Sequence, residues 1–386
     1  MVRKVSEMKR ADLLFQQIES NILSGAFGSC GDPFISVREL AQQHACSLHC
    51  ALDVIDLLLD SRILRKHGKH CYITTGCCPP DSAYGRILAN RERTIFGVLI
   101  SDNSNPFFGA LINHLRDVLH QNGMELITAS SGNDPCREKQ ILDMFLDLKC
   151  SGVFNCVPVL RQQQHLFSRY PLPIVTLAED SSIPSIDTIL VDNHAAGEQV
   201  AKHLLECGNK SFAYITLDNY VESDLRLQGF RRYLEKKQMA LPDPHIGIVS
   251  GTDDAVRSRQ VSQFVGNLLD SMNDAADQLP LGIFCVHDLL AADVMRIVKH
   301  YSSKRKRKLL IPSDVMIVGF DDLPICTQLS IPMTTISYRY SALSRKAVDV
   351  MLDCLRDPRH IPDRYEVPSL LVIRESTRKA NDRQDT

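Results

Sequence analysis

Residues 94–108 read Thr-Ile-Phe-Gly-Val-Leu-Ile-Ser-Asp-Asn-Ser-Asn-Pro-Phe-Phe, and this order decides the class of the larger part of the chain. The apolar run 95–100 is short and bounded by polar residues, the pattern of a strand buried on both faces. Ser104-Asn105-Pro106 interrupts it, and helical spacing takes over from Phe107 to Gln121. The same strand-then-helix unit recurs: 125–128, 152–154, 174–177, 212–215, 282–286 and 315–318 are further apolar runs, with amphipathic stretches between most of them. Alternation of this kind gives mostly parallel, doubly wound sheets, so the expected fold class is α/β. No single continuous strand order accounts for so long a region, which points to two lobes. Ligands of such sheets collect at the C-terminal ends of the strands.

Upstream the pattern changes. Leu14, Ile18 and Ile22 recur every four residues, one buried helical stripe that Gly25 ends. Ser36, with Glu39 three residues on, forms the signature of a capping box for a helix over 37–44. Another helix is expected over 47–60, separated from the first by the short break Ala45-Cys46. Two extended segments, 63–66 and 71–74, flank His67-Gly68-Lys69-His70 and read as a hairpin with a polar tip. Helix, turn, helix and hairpin make a winged helix-turn-helix. Gly76-Cys77-Cys78-Pro79-Pro80-Asp81-Ser82 breaks every periodic pattern. The expected division is therefore 1–75, a linker over 76–93, and a two-lobed unit over 94–380.

With 386 residues the chain exceeds one ordinary core, and 44% hydrophobic with 23% charged residues is a soluble, globular composition. No apolar segment follows the basic start, and none approaches the roughly 18 residues of a membrane span. A cytoplasmic protein without membrane contact is expected. The 13 cysteines are odd in number and scattered, so they are read as reduced thiols. Cys77 and Cys78 have no second pair at finger-like spacing, so no metal site is expected. The net charge is -2, and the first 75 residues carry nine Lys or Arg against eight Asp or Glu. Any DNA binding must then rest on local geometry and dimerisation. The run 303–308 is basic but lies between a helix and Leu309-Leu310-Ile311-Pro312, and is read as a solvated loop. Neither a phosphate-cradling glycine motif nor a nucleophile elbow occurs, which argues against an enzyme and against a bound cofactor.

On Gly25, Gly31, Ser36-Val37-Arg38-Glu39-Leu40-Ala41, Ser47 and His67-Gly68, the first 75 residues resemble the reader domain of the GntR family of bacterial transcription regulators. The resemblance implies a helix after the turn that enters the major groove of double-stranded operator DNA. Carried over by position, Arg38, Ser47 and His49 would lie at the DNA, and His67 and Gly68 would form the wing tip. Where family members often place arginines that read guanine, this chain has Leu48 and Leu52. Those leucines either contact thymine methyl groups or mark a loss of DNA binding.

The longer unit resembles the ligand domain of the LacI/GalR family, similar in fold to periplasmic sugar-binding proteins. The likeness rests on Ser104-Asn105-Pro106-Phe107-Phe108, Val191-Asp192-Asn193, Arg226 before Gly229-Phe230, His287-Asp288, Gly319-Phe320-Asp321-Asp322 and Met333-Thr334-Thr335-Ile336, in family order. It implies Phe107 or Phe108 as an apolar platform, Arg226 and Asp321 as hydroxyl anchors, and His287 and Tyr340 as lining of a small-molecule site. One departure is Pro173-Ile174-Val175-Thr176-Leu177, followed by Ala178-Glu179-Asp180, where many relatives end the strand with an acidic residue. Either Glu179 or Asp180 compensates, or the effector is not a common monosaccharide. The combination is similar to the arabinose-type repressors of bacteria, which implies a homodimeric repressor controlled by a carbohydrate effector. The alternative is a sugar-binding sensor whose reader has decayed.

Overall fold

The computed structural model describes residues 33–60, 63–67, 71–74, 94–157, 170–178, 183–218, 221–250, 254–274, 278–303, 308–357 and 359–378, with further positions between 11 and 27 and at 167. In the N-terminal unit Leu14, Ile18 and Ile22 are buried at helical positions, as their spacing predicts, and Ala11 is buried with them. β1 (Pro33–Phe34) leads to α1 (Val37–Gln43) and α2 (Leu48–Asp60). The capping box of α1 is reciprocal: the Glu39 N–H donates to Ser36 Oγ at 3.3 Å, and the Ser36 N–H donates to Glu39 Oε2 at 2.8 Å. β2 (Leu64–His67) and β3 (Cys71–Thr74) pair antiparallel, and β1 adds to β3. Leu40, Ala51, Val54, Ile55 and Leu58 close the small core beneath them. Gly25, Gly31, Gly68 and the expected linker over 76–93 lie outside the described residues.

From Thr94 the chain builds two six-stranded sheets. β4 (Thr94–Ile100), α3 (Pro106–Gln121), β5 (Met124–Ser130), α4 (Pro135–Asp147), β6 (Val153–Cys156), β7 (Ile174–Leu177) and β8 (Asp187–Val191) make the first lobe. The chain then enters the second lobe through α5 (Asn193–Glu206), β9 (Ser211–Leu217), α6 (Val221–Lys236), β10 (Ile246–Val249), α7 (Asp254–Asp274), β11 (Leu281–Cys285), α8 (Asp288–Ser303), β12 (Val315–Asp321), α9 (Ile325–Gln328) and β13 (Thr334–Ser337). It returns as α10 (Tyr340–Arg356) and β14 (Arg364–Val367), and ends in β15 (Leu370–Val372). The sheet orders are β14-β8-β7-β6-β4-β5 and β10-β9-β11-β12-β13-β15. Every pairing in these two sheets is parallel except β13 with β15.

The expected two lobes of mostly parallel sheet are thus present, and strand order explains why no single sheet fits. β14 closes the first sheet although its nearest neighbours in sequence belong to the second, so the chain crosses between lobes three times, near 191–193, 337–340 and 367–370. Parallel strands covered on both faces read as apolar runs, and β6, β7, β11 and β12 are buried along their whole length. Among the described residues, no helix is long and apolar enough to cross a membrane. The nine cysteines whose side chains are described are free thiols. Four residues of the basic run, 304–307, lie outside the described residues.

Candidate functional site

A cavity of about 890 Å³ opens between the lobes, within the range of small-molecule sites. Its first-lobe wall is Ser101, Asp102, Ser104, Asn105, Phe107 and Phe108, the loop that leaves β4 and the start of α3. Asn105 caps this helix by accepting from the Phe107 N–H at 3.0 Å, and Pro106 occupies the first turn where its missing N–H costs nothing. That cap presents the two phenylalanines. Asp102 accepts from the Ser104 N–H at 2.8 Å and from its hydroxyl at 2.6 Å, and these bonds hold its carboxyl below the ordinary carboxylate range.

Opposite stand Leu217, Val249, His287 and Asp321 at the C-terminal ends of β9, β10, β11 and β12, with Arg257 and Ser258 of α7, Asp293 of α8 and Tyr338 beyond β13. Such a crevice follows directly from parallel strands that end in loops. The Phe107 ring lies 4.9 Å from that of Tyr338 and 5.3 Å from that of Phe108, an aromatic wall suited to the C–H face of a ring.

His287 Nδ1 accepts from the Leu290 N–H at 3.0 Å, which leaves Nε2 as the N–H donor of a neutral imidazole. Burial, then the positive charges of Arg226 and Arg257, push its pKa down to about 4. Its nuclear magnetic resonance signals should therefore hold steady from pH 8 to 5 and titrate near 4; a midpoint near 6.5 would contradict this placement. In the linkage, the stabilising contribution is complete above the unfolded value near 6.5 and is lost as pH falls through about 4.

Asp321 is 8% exposed and takes φ of +114°, a conformation that costs energy for any residue with a side chain. Its carboxyl is pushed well above the usual range by burial and then by the charge of Asp288, against the opposing charge of Arg226. Asp288 is raised to about 6, chiefly by burial, although it accepts from Thr335 Oγ1 at 2.6 Å and from the Leu323 N–H at 2.8 Å. The second lobe thus contributes to the cavity a buried acid, Asp321, and a neutral imidazole, His287.

Of the ligand residues expected from sequence, Phe107, Phe108, His287 and Asp321 line this cavity together; Arg226 and Tyr340 do not. Arg226 is wholly buried behind it. Its Nε donates to Asn193 Oδ1 at 2.9 Å, Nη1 to the Val286 carbonyl at 2.6 Å and Nη2 to the Tyr338 hydroxyl at 2.8 Å, while Cζ lies 3.5 Å over the Phe320 ring. Tyr340 donates its hydroxyl to the Asp321 carbonyl at 2.9 Å and lines a separate cavity with His114, Arg339 and Arg345. Tyr338 takes the wall position instead, and its place after a strand carries no signal that separates it from Tyr340. Arg257 and Asp293 escaped sequence reading because they sit on ordinary amphipathic helices. Glu179 and Asp180 lie outside the described residues.

At the other end of the chain, Arg38, Ser47 and His49 are exposed. Ser47 Oγ accepts from the Cys50 N–H at 3.1 Å, so it caps α2. On the outward face of α2, Leu48 and Leu52 are 53% and 44% exposed, and Asp56 follows at the next helical turn. His67 belongs to β2, and its side chain lies outside the described residues.

Comparison with known proteins bears on the lobes. Residues 201–377 match the periplasmic binding protein-like domain family. The chain is 27% identical over 298 residues to the ribose operon repressor of Haemophilus influenzae, covering 76% of this chain and 84% of that one. It is 24% identical over 304 residues to the HTH-type transcriptional repressor PurR of Aliivibrio salmonicida, covering 78% and 86%. Among solved structures, a periplasmic binding protein/LacI transcriptional regulator from Alkaliphilus metalliredigens, complexed with D-xylulofuranose, superposes with a TM-score of 0.59 at 23% identity, over 74% of this chain and all of that one. These likenesses establish the two-lobed fold, and the two sequence relatives are transcriptional repressors.

Proposed function

We propose that this protein is a cytoplasmic, homodimeric transcriptional repressor whose affinity for operator DNA is set by a carbohydrate effector bound between the lobes. The observation that carries the reading is the interlobe cavity with an aromatic wall, a buried acid and a neutral histidine, in a chain that also bears a capped helix pair with a hairpin. The GntR-type winged helix-turn-helix is the reader, with α2 as the groove helix, Arg38 and His49 beside the DNA, and His67 and Gly68 at the wing tip. Phe107 and Phe108 take the apolar face of the sugar, and His287 and Asp321 its hydroxyl groups. Arg226 and Tyr340 act one layer behind, holding Asp321 and Tyr338 in place. Effector binding favours one lobe arrangement, and a nearly complete switch requires about 5.5 kcal/mol of differential affinity.

A second reading, a sugar sensor whose reader has lost DNA binding, is favoured by the exposed leucines and Asp56 on α2. Fluorescence anisotropy against the DNA upstream of the protein's own gene, across a salt series and with a panel of pentoses and hexoses, separates the two. Preferential binding with a steep negative salt slope, weakened by one sugar, supports the repressor. Sugar binding without preferential DNA binding supports the sensor. Placing Leu48→Arg and Leu52→Arg together should raise DNA affinity about tenfold or more, since one good base contact is worth about 1–3 kcal/mol. Unchanged affinity and salt slope would remove α2 from the groove.

A further inference from the structure

We propose that Asp187, Cys354 and His360 form a binding site for a divalent transition-metal cation of the zinc class, on the first lobe and apart from the interlobe cavity. One ligand atom from each lies within 4.8 Å of the other two. Asp187 opens β8, Cys354 lies in the last turn of α10, and His360 sits on the connection to β14. Sequence separation hides the cluster: no spacing rule joins a residue at 187 to a pair at 354 and 360.

The three groups already converge on one oxygen. The Cys354 thiol donates to Asp187 Oδ2 at 3.2 Å, and His360 Nε2 is 2.8 Å from the same atom. Metal bonds of about 2.0–2.3 Å in tetrahedral geometry separate neighbouring ligand atoms by roughly 3.3–3.7 Å, so modest side-chain movement makes room for the ion. Asp187 Oδ1 accepts from the Asp363 backbone N–H at 3.1 Å, and the His360 backbone N–H donates to the Asp357 carbonyl at 2.9 Å. The first bond orients the carboxylate, the role that supporting groups play around metal ligands, and the second closes the turn that carries His360. Asp187 is 3% exposed at its side chain and His360 19%, so the site is sunk in the protein with one side open to water for a fourth ligand.

The donor set discriminates among ions. One thiolate, one imidazole and one carboxylate suit zinc and its neighbours and disfavour magnesium and calcium, which require oxygen. Without a cation the Cys354 thiol keeps its proton in the hydrogen bond to Asp187 Oδ2. On metal binding the S–H bond breaks, its proton leaves to solvent, and the sulfur pair goes to the ion; the imidazole carries its proton on Nδ1 while Nε2 gives its pair. The ion would join β8, α10 and the approach to β14, the returning strand that completes the first sheet. This assignment does not depend on the repressor reading.

The test is titration of the full chain, treated with chelator and then dialysed under reducing conditions, with Co²⁺ followed by Zn²⁺. A saturable thiolate-to-cobalt charge-transfer band at one equivalent, bleached by Zn²⁺, is expected. C354S should abolish the band, H360A should weaken Co²⁺ binding at least tenfold, and the C77S/C78S pair should leave it unchanged. Zn²⁺ at a hundredfold excess over its Kd should raise Tm by about 3 °C. Absence of a saturable band in the folded wild-type protein overturns the proposal without recourse to any variant. A band that survives C354S and vanishes in C77S/C78S overturns it equally, by moving the ion elsewhere. If C354S does not fold, H360A decides: undiminished Co²⁺ affinity in that variant rules the site out.

Discussion

Gly197→Ala is expected to lower the stability of the folded chain by about 3 kcal/mol, the upper part of the usual range for overpacking. α5 and α6 cross backbone to backbone. A Cβ on Gly197 would fall on the Arg226 carbonyl oxygen and within 2.8 Å of the Phe230 nitrogen; a Cβ on Gly229 would fall on the His194 carbonyl. The obstructing atoms are main chain in both cases, so no flexible side chain can yield and the helices must separate. For a chain of 386 residues unfolding as one unit the loss corresponds to a fall in Tm of about 4 °C. Gly109→Ala and Gly266→Ala are the controls, because a Cβ at either meets nothing within 4 Å. Those two should be neutral or stabilising by up to about 1 kcal/mol, the ordinary helical preference for alanine. Gly197→Ala combined with Gly229→Ala should cost less than the two single changes added, since one separation of the helices relieves both clashes. Thermal and urea unfolding read the five variants, Gly229→Ala alone included, against the unchanged protein. A Gly197→Ala protein no less stable than Gly109→Ala would disprove the close crossing.

Part of this architecture was legible in the chain because its physical cause is local. Burial on both faces makes β4, β7 and β12 apolar runs, and reciprocal capping makes Ser36 and Glu39 visible as a pair. β8 carries polar Asp187 and Thr188 in a strand that is buried throughout, so its pattern hid it. β14 and β15 are short, half-exposed closing strands whose partners lie far away in sequence. The site divides in the same way. Phe107, Phe108, His287 and Asp321 stand at strand ends and helix starts, where motif position foretells a cavity wall. Arg226 and Tyr340 carry the expected chemistry, but whether a side chain reaches a cavity or stops one layer short depends on packing between distant helices. The Asp187, Cys354 and His360 cluster is the extreme case, since only the return of the chain to the first lobe brings its members together.

Replacing Arg226 by methionine is expected to have the largest effect of any single polar change in the second lobe, a loss of about 3–5 kcal/mol. Its guanidinium bonds Asn193 at the first crossing between lobes, Tyr338 at the second, and the Val286 carbonyl at the end of β11. Methionine fills much of the same volume but leaves an amide oxygen, a carbonyl and a hydroxyl without their partner in a dehydrated interior, and each unsatisfied group costs about 1–3 kcal/mol. Arg226→Lys should not rescue it, because a single ammonium cannot span three acceptors in a fixed fork. The electrostatic part can be isolated. Arg226 opposes the rise in the Asp321 pKa, so its removal raises that pKa further and makes the carboxyl more readily protonated and a poorer acceptor for ligand hydroxyl groups. Asp321→Asn in the Arg226→Met background should then cost less than Asp321→Asn alone, with a coupling of about 1 kcal/mol or more in a double-mutant cycle. Additive losses would mean that Arg226 acts on the crossings alone and exerts no influence on the acid at the cavity. Coupled losses would join the hinge and the cavity through one side chain, so that whatever neutralises or engages Asp321 also changes the charge balance of the residue that ties two of the three crossings together.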